Sequence, residues 1–134
     1  MFFIPESLKL KIEKLVRSRD SGSTSKPKLI AVGTTTVRAL ESAALAGDFE
    51  GCESRVGFDL SSYSGAFRGT RLCISPGFNF QLVDSLVTNF HLPNSSHLML
   101  VNAFSGSELT EKIYSHALKQ DYGFFSYGDG MLLL

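Results

Sequence analysis

Residues 29 to 45 read LIAVGTTTVRALESAAL, and this stretch decides the fold. Leu29 to Val32 is a short apolar run that Gly33 ends, the pattern of a strand. Thr34 to Thr36 lead into a segment where Val37, Leu40, Ala44 and Leu45 recur at helical spacing, with Gly47 as a stop. A strand that turns within a few residues into an amphipathic helix is the repeating unit of α/β architecture.

The same alternation continues on both sides. Upstream, Pro5, Glu6 and Ser7 open a helix whose Leu8, Ile12, Leu15 and Val16 share one face. Asp20 to Lys28 reads as a polar linker, and Asp48 to Gly69, crowded with Ser, Gly and Asp, as a surface loop. Downstream, strands are predicted at Thr70 to Ser75, Phe78 to Val83 and Leu86 to Phe90, with a turn at Pro76-Gly77. A helix over Leu98 to Phe104 is apolar on nearly every side, so burial is expected. Ser107 is the natural N-cap of the next helix, with Leu109, Ile113, Ala117 and Leu118 inward. Phe124 to Tyr127 reads as a last strand. The expected architecture is α/β: a single domain over residues 1 to 134, with a mixed sheet flanked by helices.

Composition narrows the function classes. The 134 residues are 43% hydrophobic and 19% charged, enough to build one core. Net charge is zero but uneven, with seven Lys or Arg against three acids before Leu29. That basic front end suits either phosphates or a solvated helix face. Cys52 and Cys73 lack disulfide-framework or metal spacing, so no metal site is expected, and Cys73 in its apolar run reads as buried. No signal peptide opens the sequence and no run is long enough to span a bilayer. The expected setting is cytoplasmic, without a membrane partner.

Three clusters can carry chemistry. Gly33-Thr34-Thr35-Thr36-Val37-Arg38 sits at a strand–helix junction, where backbone N–H groups, hydroxyls and Arg38 favour an anion. Threonine capping beside a surface Arg is the simpler alternative. In TNFHLP, residues 88 to 93, Asn89 and His91 fall on the same side of a strand. An orienting amide and a proton-moving imidazole form a working pair, and a core Asn and His bonded to backbone is the other reading. In FFSYGD, residues 124 to 129, Tyr127 and Asp129 follow two Phe, and glycines flank Asp129. Asp129 either meets a ligand or accepts local N–H bonds in a turn. His97 and His116 read as structural.

The clusters occur together. IAVGTTTVRALESA (30 to 43), ISPGFNFQLVDSLVTNFHLPNSSHLMLVNAFSG (74 to 106) and YGFFSYGDGMLL (122 to 133) closely resemble the C-terminal part of the S-adenosylmethionine:tRNA ribosyltransferase-isomerase family. The resemblance implies part of a larger barrel-like α/β domain, without counterpart here for the family's N-terminal half and its inserted β-barrel domain. It implies ribosyl transfer from S-adenosylmethionine to the 7-aminomethyl-7-deazaguanine base of tRNA, with rearrangement to epoxyqueuosine. S-adenosylmethionine is then a co-substrate, with no further cofactor, and tRNA the partner. By matching position, His91, Asn89 and Asp129 are the expected catalytic residues. Thr34, Thr35, Arg38 and Tyr127 are expected to bind substrate. The alternative is a truncated, non-catalytic relative that still binds tRNA or S-adenosylmethionine.

Overall fold

Ala31, Leu86 and Leu133 are buried and lie side by side in the sheet, which sets the fold's inner face. The computed structural model describes residues 2–20, 27–46 and 69–134. The order of elements is α1 (Glu6–Asp20), β1 (Ile30–Val32), α2 (Thr34–Leu45), β2 (Ser85–Asn89), α3 (Ser96–Ser105), α4 (Ser107–Lys119) and β3 (Gly130–Leu133). The sheet runs β1-β2-β3, with β1 and β2 parallel and β3 antiparallel to β2. This is the expected mixed α/β arrangement. Most of the proposed linker, the proposed loop up to residue 68, Gly47 and Cys52 lie outside the described residues.

Helix α2 covers the inner face. Val37, Leu40, Ala43 and Ala44 are buried at helical spacing and join Ala31 and Leu86 in the core. Glu41 lies on the same helix and is also fully buried. Its carboxylate accepts three backbone N–H bonds, from Gln81 at 2.8 Å, Leu82 at 3.0 Å and Val83 at 2.9 Å. Three donors on one carboxylate repay its transfer out of water.

That clamp explains a correction. Neither Thr70 to Ser75 nor Phe78 to Val83 forms a strand. Side chains of α2 hold these segments instead of a neighbouring strand. Arg38 Nε donates to the Leu72 carbonyl at 3.0 Å, and the Ser42 and Thr70 hydroxyls are 2.6 Å apart. The Pro76-Gly77 turn does form, with Phe78 N–H bonded to the Ser75 carbonyl at 3.0 Å and Gly77 at φ 93°. Cys73 is exposed, because its segment is not a core strand.

Arg19 fastens α1 to the base of the sheet. Its guanidinium pairs with Asp84 and reaches the Leu82 carbonyl at 3.2 Å. Asp84 also accepts from Leu29 N–H at 2.6 Å, so one carboxylate joins α1, the entry to β1 and the entry to β2.

The C-terminal helices differ in detail from expectation. Helix α3 buries Leu100 and Val101, whereas Met99 stays exposed, so only one side is enclosed. Gly106, at φ 80°, closes α3 and is also the N-cap of α4, the position expected of Ser107. Thr110 and Ala117 are buried on α4, with Ile113 and Tyr114 packed beside them. Leu109 and Leu118 are exposed, and the inward face of α4 is instead formed by Thr110, Ile113, Tyr114 and Ala117. The last strand is Gly130–Leu133, not 124 to 127, where an aromatic cluster holds the chain in a loop.

Replacing Glu41 by Gln presents an amide donor to backbone donors and leaves at least one N–H without an acceptor. Unfolding by urea is expected to show a loss on the order of 3 kcal/mol. An unchanged midpoint would show that the carboxylate does not organise residues 81 to 83.

Candidate active site

The register of the sheet brings three distant segments to one end. Val32 pairs with Val87, and Gly33 N–H continues the ladder to the Val87 carbonyl at 2.8 Å. On the other side Asn89 pairs with Gly130. The carboxyl ends of β1 and β2 therefore meet the start of β3, and α2 begins beside them. In open α/β sheets such an end is the usual place for a ligand.

Gly33 makes the strand–helix junction possible. Its φ of 89° is one that side-chain-bearing residues rarely adopt. Its carbonyl accepts from Thr36 and Val37 N–H at 3.1 and 3.3 Å, and no side chain caps α2. Thr34 is buried, Thr35 is exposed, and the Thr36 hydroxyl turns back to the Val32 carbonyl at 2.7 Å.

His91 lies just past β2 and is held on three sides. Its Nε2 is 2.8 Å from the Thr88 hydroxyl. Its backbone N–H donates to the Tyr114 hydroxyl at 2.9 Å. Its ring stacks on His97, centroids 5.1 Å apart. Burial first, and the neighbouring His97 second, lower the His91 pKa below the ordinary imidazole value of 6.5. The neutral ring, with one lone pair, is the form at neutral pH. Burial raises the Tyr114 pKa, with the His91 N–H bond opposing it, so the phenol stays protonated.

Asn89 points to the loop before β3 and donates from Nδ2 to the Gly128 carbonyl at 3.3 Å. That loop is closed by reciprocal bonds, Asp129 N–H to the Gly123 carbonyl at 2.8 Å and Gly123 N–H to the Asp129 carboxylate at 2.7 Å. Phe90, Tyr114, Tyr122 and Phe124 pack edge-on or tilted beneath it, with centroids 5.2 to 5.8 Å from Phe90. Phe125 N–H bonds the Phe90 carbonyl at 3.1 Å.

The structure places Asn89 against Gly128, with His91 two residues further along the chain. Asp129 lines an open polar cleft with His116, Gln120, Asp121 and Tyr122, and His91 is not among its walls. Tyr127 is fully exposed, and Arg38 commits its Nε to Leu72. Sequence reasoning missed Thr88, Tyr114 and His97 as neighbours of His91. Thr88 carried a signal, lying three residues before the histidine, but Tyr114 and His97 come from other elements.

A family model described as Queuosine biosynthesis protein matches residues 5–133. The chain belongs to the queuosine biosynthesis family. It is 47% identical over 122 residues to an S-adenosylmethionine:tRNA ribosyltransferase-isomerase of Azoarcus sp., covering 91% of this chain and 30% of that protein. A Burkholderia lata protein of the same name is 46% identical over 130 residues, covering 97% and 32%. Among solved structures, the S-adenosylmethionine tRNA ribosyltransferase of Thermotoga maritima superposes with TM-score 0.68 at 43% identity, covering 94% of this chain and 38% of that one. The chain therefore spans about a third of the length of the family members it matches. Among the described residues, no helix is long and apolar enough to cross a membrane, and no group of three His, Cys, Asp or Glu could hold a metal.

Two outcomes follow for this family member. The His91 ring should titrate below 6.5 in NMR spectra, and His97→Ala should raise the value. Because the folded pKa lies below the unfolded one, the contribution of His91 to stability is complete above pH 6.5. It falls as pH drops from there through the folded pKa. A normal imidazole titration would contradict the buried, His97-stacked environment described for His91. Gly128→Ala should cost about 1–3 kcal/mol in thermal unfolding, because a Cβ there overlaps the Gly123 backbone. Gly130→Ala, whose Cβ would meet the Thr88 carbonyl at an ordinary 3.4 Å, should be near neutral.

Proposed function

We propose that this chain supplies part of the active site for transfer of the ribosyl group of S-adenosylmethionine to tRNA. The acceptor is the 7-aminomethyl-7-deazaguanine base, and the transferred ribosyl is rearranged to give epoxyqueuosine while methionine leaves from C5′ and adenine from C1′. Family membership supports the reading, as do the names of the relatives that share 46 to 47% of the matched sequence. The observation that carries it is His91, a neutral imidazole gripped by Thr88, Tyr114 and His97 where β2 ends.

The reaction needs a group that removes a proton and one that assists departure of adenine. His91 is the proton acceptor. When its Nε2–H donates to Thr88, Nδ1 carries the lone pair that accepts. Asn89 orients the loop that ends in Asp129, and through it the position of that carboxylate. Asp129 and Tyr127 would hold ribose hydroxyls or the purine edge. Thr34 and Thr35, at the start of α2, and the Nη groups of Arg38 would meet the methionine carboxylate or a tRNA phosphate. The buried Thr34 would act mainly through its backbone, and the exposed Thr35 through its hydroxyl.

The test combines this chain with the part of the Azoarcus protein that it does not match, expressed as a second polypeptide. Precursor tRNA and S-adenosylmethionine are added, and free adenine is measured. Adenine is expected to appear in step with modified tRNA. His91→Ala should cut the rate by about 100-fold or more without loss of folding. Unchanged turnover in that variant removes His91 as the base. Because the chain covers only 30% of the Azoarcus protein, a binding module is the second reading. Retained S-adenosylmethionine or tRNA binding without adenine release would favour it.

A further inference from the structure

Four large aromatic side chains are exposed among the described residues, and three of them, Tyr122, Phe125 and Tyr127, fall in the loop before β3. Tyr127 is wholly in solvent and Phe125 is 54% exposed. Residues 120 to 130 contain no aliphatic side chain, and Ser126, the glycines and two aspartates surround the rings. A face awaiting a packing partner would carry Leu, Ile or Val. Aromatic rings set among hydrogen-bonding groups instead match a flat nucleobase with a polar edge.

Phe125 also sits in a strained conformation. Its φ of 70° is in the left-handed region, which bulky residues seldom occupy. The loop holds it there. Phe125 N–H bonds the Phe90 carbonyl, and the Phe125 carbonyl accepts from Gly128 N–H, each at 3.1 Å. Phe124 packs inward on Phe90, while Phe125 stays exposed beside it. The turn over residues 125 to 128 therefore presents Phe125 and Tyr127 on a fixed backbone. A surface that is already ordered loses little entropy when it binds.

We infer that Phe125 and Tyr127 form a stacking platform for an unpaired tRNA base, the neighbour in sequence of the base that reacts. The inference rests on tRNA as the partner in the reading above, and not on the chemistry of His91. A base that enters an active site is unpaired, and its neighbours in the same single strand are free to unstack. Aromatic side chains take such bases by their π-faces. Asn89 bonds the Gly128 carbonyl at 3.3 Å, which ties the platform to the end of β2, two residues before His91. Asp121 and Asp129 in the same loop repel phosphate, so the loop meets RNA on its base side and not along its backbone.

RNA binding, and not turnover, tests it. The chain is assembled with the unmatched part of the Azoarcus protein, and the dissociation constant for precursor tRNA is measured by filter binding. Phe125→Gly accepts the left-handed turn without strain and removes the ring. It is expected to weaken binding about tenfold, whereas Phe125→Tyr should bind as the unaltered protein does. Circular dichroism verifies that each variant folds. A synthetic stem–loop with the same unpaired sequence then carries 5-iodouridine on either side of the acceptor base in turn. Irradiation is expected to cross-link one of these positions to Phe125 or Tyr127, located by mass spectrometry. Unchanged affinity in Phe125→Gly overturns the inference. Cross-links only to other residues also overturn it, as they would if the added portion of the fold covers the rings. Failure to bind tRNA at all overturns both this inference and the reading beneath it. Adenine release is read separately: tight binding without release removes the proposed reaction, while Phe125→Gly still decides the platform.

Discussion

The buried Glu41 carboxylate is the constraint on which the rest depends. A helix that packs its apolar stripe on a sheet normally turns its polar residues to solvent. Here α2 drives an ionisable group into the core and satisfies it with the N–H groups of residues 81 to 83. Those residues are thereby fixed as an irregular bridge that enters β2. The position of β2 then sets where Asn89 and His91 emerge. Loss of the clamp would leave three backbone donors in an apolar interior, each costing about 1–3 kcal/mol.

A second layer of order comes from Phe90 and the aromatic rings around it. They hold the loop from Gly123 to Asp129 against the end of β2, while Tyr114 fixes the His91 backbone. The environment of His91 is thus built from three elements: β2, the start of α3 through His97, and α4 through Tyr114. Such an arrangement fixes the ring and, by lowering its pKa, keeps it neutral and able to accept a proton at neutral pH.

Much of this was legible in the chain. The 29 to 45 stretch gave β1 and α2 because its strand and helix periods are local. Ser95 and Gly106 mark the bounds of α3 through short-range capping. What could not be read depends on distant partners. Residues 70 to 83 look like strands by composition, yet Glu41, Arg38 and Ser42 draw their polar groups to a helix. Phe124 and Phe125 look like strand residues, but they serve an aromatic cluster, and β3 begins six residues after Phe124. Leu109 and Leu118 were expected inside from their spacing with Ile113 and Ala117, but the face that packs is shifted round the helix to Thr110, Ile113, Tyr114 and Ala117. Within the site, the types of residue at 34, 89 and 91 were visible. The committed Nε of Arg38, the separate cleft of Asp129 and the His97 stack required coordinates.

The central claim is that the ends of β1, β2 and β3 form one ligand-binding unit. Amide and imidazole NMR signals of this chain, assembled with the remaining family portion and titrated with S-adenosylmethionine, test it most directly. Saturable shifts that appear together at Thr35, Asn89 and His91, at one affinity, are predicted. Saturable binding that leaves those three unmoved and perturbs other residues would contradict it.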